Sequence, residues 1–305
     1  KGINAVANSG YFPHGELWIG HPYDVMLYAV TGGVTMVTMG GVQRKFLEDS
    51  GNYTGPSDSY LELEHDDPND EFILTDTVKN TRWIFHDFDV TPELKEGRLK
   101  EQTTIDWHEA GLSGFEYTYD GTSGLLDEIT SPEGQDYSFV YTWDTGGKVI
   151  DQIQLQDGSS NVLQQVDYTY YHDVTSPSTD LGNSTYNLVQ VKVSKKATND
   201  TGSTLSIVRY TQYRYSTSPT IKIKAIYEHD DIQRIIASDG GISTPEDILT
   251  KDDTYGTPDI KDFAARSFTY YTTNEDTSSI NTPFQNNEDL ESTYVGHNAV
   301  EQSKV

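Results

Sequence analysis

The feature that most constrains this chain is a strand–turn unit that recurs along it. Tyr-Thr-aromatic triplets begin at Tyr117, Tyr141 and Tyr168, spaced 24 and 27 residues apart. In the first unit Phe115-Glu116-Tyr117-Thr118-Tyr119 alternates strictly, which places Tyr117 and Tyr119 on one face of a strand and Glu116 and Thr118 on the other. Asp120-Gly121 is a hairpin turn signal, and Leu125, Leu126 and Ile129 read as the returning strand. The second unit runs from Tyr137 through Tyr141-Thr142-Trp143 to Asp144, Gly146-Gly147 and Val149-Ile150. The third is Val166-Asp167-Tyr168-Thr169-Tyr170, and less regular copies stand at 210–215 and 268–271. Recurrence at this period marks repeat architecture, in which a single hairpin is too small to bury its own apolar face.

The rest of the chain supports the same class. Short apolar runs at Leu17-Trp18-Ile19, 25–30 and 34–39 are cut by Gly32-Gly33 and Gly40-Gly41 and read as strands. Residues 49–71 read as a polar loop region, strands resume at 71–74 and 82–85, and 86–113 carries no clear periodicity. Thr244-Pro245-Glu246-Asp247 and Thr257-Pro258-Asp259 each set a capping residue before Pro and acids, predicting two short helices within 228–266. The organisation expected is a β run-in (1–113), hairpin repeats (114–227), a helical insertion returning to a strand (228–271) and a polar arm or linker (272–305). The fold class expected is mainly β: consecutive antiparallel hairpins in a curved or spiral sheet, with two short inserted helices.

Composition excludes several functions. The formal charge is −27, and no basic stripe interrupts it, so the chain repels phosphate backbones and is not expected to bind nucleic acid. The longest apolar-rich stretch, 28–39, is too short and too polar for a transmembrane segment. There is no Cys, which removes thiolate metal sites, thiol nucleophiles and disulfides. Tyr, at 21, outnumbers Phe, at 10, so the apolar material is amphipathic and suits sheet walls. An acidic, disulfide-free β chain fits an extracellular or cell-surface location, bacterial in origin. Lys1 opens the chain without an initiator Met or a signal-type segment, as expected of a piece of a longer protein or of a chain whose leader has been removed.

No catalytic motif stands out, and the chain reads as no enzyme. The eight His show no metal spacing; His65, His86, His172 and His229 each precede Asp, which in an Asp-rich chain reads as turn composition. There is no Gly-x-Ser-x-Gly elbow and no phosphate loop. No cofactor is expected. If an ion binds, it should be Ca²⁺ on oxygen ligands, with Asp66, Asp67 and Asp70 as the candidates, set against a reading of the same residues as a solvated turn. The aromatic faces of Tyr117, Tyr119, Tyr141, Trp143, Tyr168 and Tyr170 could stack on sugars or pack within the sheet itself.

The segment 115–130 resembles a YD repeat of the Rhs (rearrangement hot spot) family: an aromatic-x-Tyr-Asp, a short gap, then Gly-x-Leu-x-x-Ile-Thr. Tyr117, Tyr119 and Asp120 fill the first half, and Gly124, Leu126, Ile129 and Thr130 the second. The second copy has Trp143 in place of Tyr before Asp144, and Gly147 reaches Ile153 one residue late; the third sets Tyr171 and His172 between Tyr170 and Asp173. The likeness is good over 115–175 and fair over 40–235. It implies a β strip winding into a shell that encloses a toxin or forms part of a surface protein or filament. The family's self-cleaving core carries Asp-Pro-x-Gly, whereas Asp67-Pro68 here is followed by Asn69-Asp70. The function expected is a non-catalytic segment of such a wall; the alternative is a carbohydrate-binding or adhesion module. The expected partners are the rest of the same polypeptide or further copies, meeting at open sheet edges, and surface glycans.

Overall fold

A computed structural model describes residues 25–37, 43–57, 60–89, 95–132, 137–197, 204–216, 222–270, 290–295 and 300–304. The strand expected at Leu17-Trp18-Ile19 and the turn at Gly40-Gly41 lie outside them. The protein is mainly β, built of consecutive antiparallel hairpins with short helices. It divides into two compact units, with the main boundary between Gln165 and Val166, inside the stretch that carries the hairpin repeats.

The first unit is an antiparallel meander in which each strand pairs with the one before it. In order these are β1 (Met26–Val30), β2 (Gly33–Val37), β3 (Gln43–Asp49), β4 (Asn52–Thr54), β5 (Leu61–Asp66) and β6 (Glu71–Asp76). There follow β7 (Thr81–His86), β8 (Leu99–Thr103), β9 (Phe115–Tyr119), β10 (Leu126–Thr130), β11 (Tyr137–Trp143) and β12 (Ile150–Asp157). Residues 49–71, expected as loop, contain β4 and β5 and so are corrected. Leu61-Glu62-Leu63-Glu64 alternates with period two; its carboxylates made it read as polar, while Leu63 is buried against Leu74. The uncertain stretch 86–113 supplies β8 and a helix, α1 (Ile105–Glu109), whose first turn is capped by the Thr104 hydroxyl accepting from Trp107 N–H.

Register aligns the core of this unit. Leu63 faces Leu74, Phe72 faces Phe85, and Phe85 faces Leu99, with Leu27, Val34 and Phe46 completing the buried set. Burying side chains of this size contributes about 2 kcal/mol each. The meander curls back on itself: Leu27 N–H donates to Gly97 O at 2.8 Å, and Met26 bridges Arg98. Gly97 sits at φ 63°, and a Cβ there would fall 2.1 Å from Leu27 O, so only glycine allows this approach.

The second unit contains most of β13 (Val162–Tyr170), all but one terminal residue each of β14 (Leu188–Lys196) and β15 (Leu205–Ser216), and then β16 (Lys222–Glu228), β17 (Arg266–Tyr270), β18 (Leu290–Val295) and β19 (Val300–Lys304), consecutive neighbours in one sheet. The segment expected as a polar arm therefore contributes β18 and β19, paired to each other and to β17.

Between β16 and β17 lie α2 (His229–Ser238), α3 (Pro245–Ile248) and a 3-10 turn, Ile260–Phe263. α3 starts as its sequence indicates, with Thr244 accepting from Asp247 N–H and Pro245 at the first position. The second expected helix is corrected: its turn is capped at Asp259 and starts at Ile260, beyond Pro258. α2 went unread because Glu228 caps it in place of the usual Ser, Thr, Asp or Asn. Ile232, Ile235, Ile248, Ile260 and Phe263 bring one side of this insertion onto Tyr210, Ala225 and Tyr227 of the sheet.

Candidate functional site

Several of the residues singled out by the repeat stand at the hairpin ends: Tyr119, Asp120, Gly124 and Leu126 in the first unit, Trp143, Asp144 and Gly147 in the second. After β9, Asp120 N–H donates to Leu125 O at 2.8 Å; after β11, Asp144 N–H donates to Val149 O at 3.0 Å. Each aspartate also caps its loop. Asp120 Oδ1 accepts from the N–H groups of Thr122 and Ser123, and Asp144 Oδ1 from those of Lys148 and Val149. Gly124 and Gly147 take the left-handed positions, at φ 69° and 63°. Hydrogen bonds from the Ser123 backbone, the Ser123 hydroxyl and the Thr122 backbone hold the Asp120 carboxyl below the usual carboxylate range. Asp120-Gly121 and Gly146-Gly147 thus lie in turns, as expected.

One more aspartate of this kind was missed. Asp157 ends β12, and its carboxylate accepts from the backbone N–H and side-chain amide of Asn161 and from the N–H of Ser159, which again lowers its pKa. The signal was Asp157-Gly158, which no aromatic triplet precedes. In the third unit the role changes: Asp173 accepts from Tyr170 N–H and caps a 3-10 turn, Tyr171–Asp173, in place of a hairpin loop.

The returning strands share a defect. In β7–β8, β9–β10, β11–β12 and β15–β16 the register slips by one residue near the start of the return, at Lys100, Asp127, Asp151 and Lys224. Such bulges bend a strand and increase its twist. In two of these returns the residue just before the bulge receives an aromatic from the following strand. Tyr119 at the end of β9 donates its hydroxyl to Leu99 O at 2.7 Å, and Trp143 at the end of β11 donates its indole N–H to Leu126 O at 2.7 Å. In the second unit Tyr215, next to last in β15, likewise donates its hydroxyl to a strand's first residue, Leu188 O of β14, at 2.6 Å. Trp143 in place of Tyr therefore keeps the donor.

The motif rings lie mostly inside the sheet. Tyr117, Tyr119, Tyr141 and Tyr170 are buried while Glu116 and Thr118 are exposed, and Leu126 and Ile129 are buried beside them. Trp143 and Tyr168 are half-buried, and burial together with the neighbouring Tyr213 pushes the Tyr168 phenol up to about 12.

The candidate calcium ligands do not converge. Asp66 accepts from the Asn69 amide at 2.8 Å, Asp67 lies 2.7 Å from His65 Nδ1, and Asp70 is exposed in a left-handed position. Among the described residues no three His, Asp or Glu side chains group as a metal site. His65 Nε2 meets Asp87 at 2.7 Å, so carboxylates occupy both ring nitrogens and neither faces a nucleophile. His86, packed on the edge of Tyr119, is held down to about 4, first by burial and then by Lys100 and Lys95.

The second unit holds an ionic cluster built around the buried Arg214 and Asp253. Arg214, fully buried, donates to Ile248 O and Lys251 O, each at 2.8 Å, and its Nε lies 3.7 Å from Asp253. Lys224 joins Asp253 at 2.6 Å to Asp180 at 2.9 Å. These charges fasten the insertion to β15 and β16.

No protein-family model matches the chain, and no curated protein matches it. Among the described residues no helix is long and apolar enough to cross a membrane.

Proposed function

We propose that the chain is a structural, non-catalytic segment of a YD-repeat wall of the Rhs kind, part of a larger bacterial surface or secreted protein. One observation carries this reading: a bulged return strand whose leading carbonyl is bonded by the aromatic that ends the next strand, as in Leu99–Tyr119 and again in Leu126–Trp143. A unit defined this way can be stacked without limit, since each hairpin supplies the acceptor for its successor and the donor for its predecessor. Of the residues that carry the likeness, Tyr119, Asp120, Leu126, Trp143 and Asp144 have places in that unit. Its neighbours would be further hairpins of the same polypeptide or other copies. The adhesion reading gains no support from these rings, because a sugar needs open aromatic faces and most of them are buried.

The test is removal of one whole unit. Deleting 120–143 joins Tyr119 to Asp144 and leaves an aromatic-Asp hairpin in register. A wall of interchangeable units refolds with one cooperative unfolding transition and an unchanged β-type circular dichroism spectrum. A deletion shifted by half a unit does not refold. If both deletions unfold the chain alike, the units are not interchangeable and the reading fails. A glycan array probes the alternative, and specific binding would favour it.

A further inference from the structure

β15 runs from Leu205 to Ser216, but β16 covers only part of its flank: the pairing begins at Thr211 opposite Glu228 and runs to Ser216 opposite Lys222. Residues 205–210 fall outside that pairing; β15 has β14 as its other neighbour, and among the described residues no further strand pairs with 205–210. Ser206 through Arg209 are all exposed, with Ile207 at 49% and Val208 at 50% of their full surface. Edges left open in folded proteins are usually blunted by proline, an inward charge, a bulge or extreme shortness. This stretch has no proline, and its one charge, Arg209, is bonded to Glu228.

We propose that this edge pairs antiparallel with the same edge of a second copy of the chain, about a twofold axis through Ile207. Residues 205–209 are self-complementary in that register. Ile207 meets Ile207, Ser206 meets Val208, and the aliphatic stem of Arg209 lies over Leu205, so no like charges stand opposite each other. The register uses 205–209 and ends before Tyr210, which is buried against the helical insertion, and Thr211, whose flank is taken by Glu228. Two such short strands bury less than the about 1,200 Å² of a standard stable complex, so the pair is weak and concentration-dependent. The charge of −27 on each copy opposes it, so added salt strengthens it. This inference does not rest on the wall proposed above.

A chain without cysteine makes the test direct. In Ile207→Cys the two thiols stand opposite each other within disulfide reach, and mild oxidation gives a covalent dimer; Val78→Cys, at an exposed hairpin tip, stays monomeric under the same conditions. By sedimentation velocity the cysteine-free chain shifts toward dimer as protein and salt concentrations rise. Ile207→Lys, which sets two ammonium groups face to face without touching the core, abolishes the shift. A chain that stays monomeric throughout, a dimer that survives Ile207→Lys, or equal crosslinking of the two cysteine variants would each overturn the proposal.

Discussion

Trp143 donates its indole N–H to the carbonyl oxygen of Leu126 over 2.7 Å, joining the last residue of one strand to the first residue of its neighbour. Tyr119 makes the equivalent bond to Leu99, and here the donor can be removed without disturbing the ring. Tyr119→Phe leaves the carbonyl of the buried Leu99 without its hydroxyl partner, at a cost of about 1–3 kcal/mol in urea unfolding. Tyr60→Phe, at an exposed ring, changes stability by less than about 0.5 kcal/mol. Equal effects at the two positions would show that the aromatic–carbonyl bond holds nothing.

Gly97→Ala tests the return of the meander onto β1. The added methyl would collide with Leu27 O at a residue whose φ is 63°, so stability falls by about 2 kcal/mol or more. Amide exchange at Leu27 quickens before that of the central strands. Unchanged protection of Leu27 in a folded variant would contradict the close approach.

His86 gives the pH dependence a definite sign. Its folded pKa, about 4, lies below the ordinary 6.5, so the unfolded chain binds the proton first. The contribution of this residue is complete above 6.5 and is lost as pH falls toward 4. Wild type therefore loses more melting temperature between pH 7.5 and pH 5 than His86→Gln does. An equal loss in both proteins would remove His86 from the account.

Arg214→Met strips two carbonyls of the insertion of their donor and leaves Asp253 to Lys224 alone, which costs about 3–5 kcal/mol. Arg214→Lys does not rescue it, because one ammonium lacks the fork that reaches both Ile248 O and Lys251 O. Hydrogen exchange across 239–264 rises in both variants. A lysine variant as protected as wild type would show that charge alone suffices.

The pattern of hairpins was legible because period two and Asp-Gly are local signals: Tyr117, Tyr119, Asp120 and Gly124 take the places that their spacing indicates. What escaped was set by partners distant in sequence. Glu62 and Glu64 made β5 look like loop, although Leu63 fits against Leu74 once β6 lies alongside. The bulges at Lys100 and Asp127 leave no trace in composition, since any polar residue can occupy a bulge. Arg214 reads as one more strand-surface cation until the insertion folds over it, and the open flank of β15 is visible only from where β16 stops.

The bond between Leu27 and Gly97 also imposes an order in time. Apart from this return of β1 onto Gly97 and Arg98, every pairing of the meander among the described residues joins strands adjacent along the chain, so each can form as soon as its second half leaves the ribosome. Leu27 must wait for position 97, which at typical elongation rates takes on the order of ten seconds. During that interval Met26 and Leu27 lack the partners that 97–98 supply in the folded chain. A growing copy is therefore open to mispairing at β1 for that time, and the arrival of one glycine closes the site at Leu27.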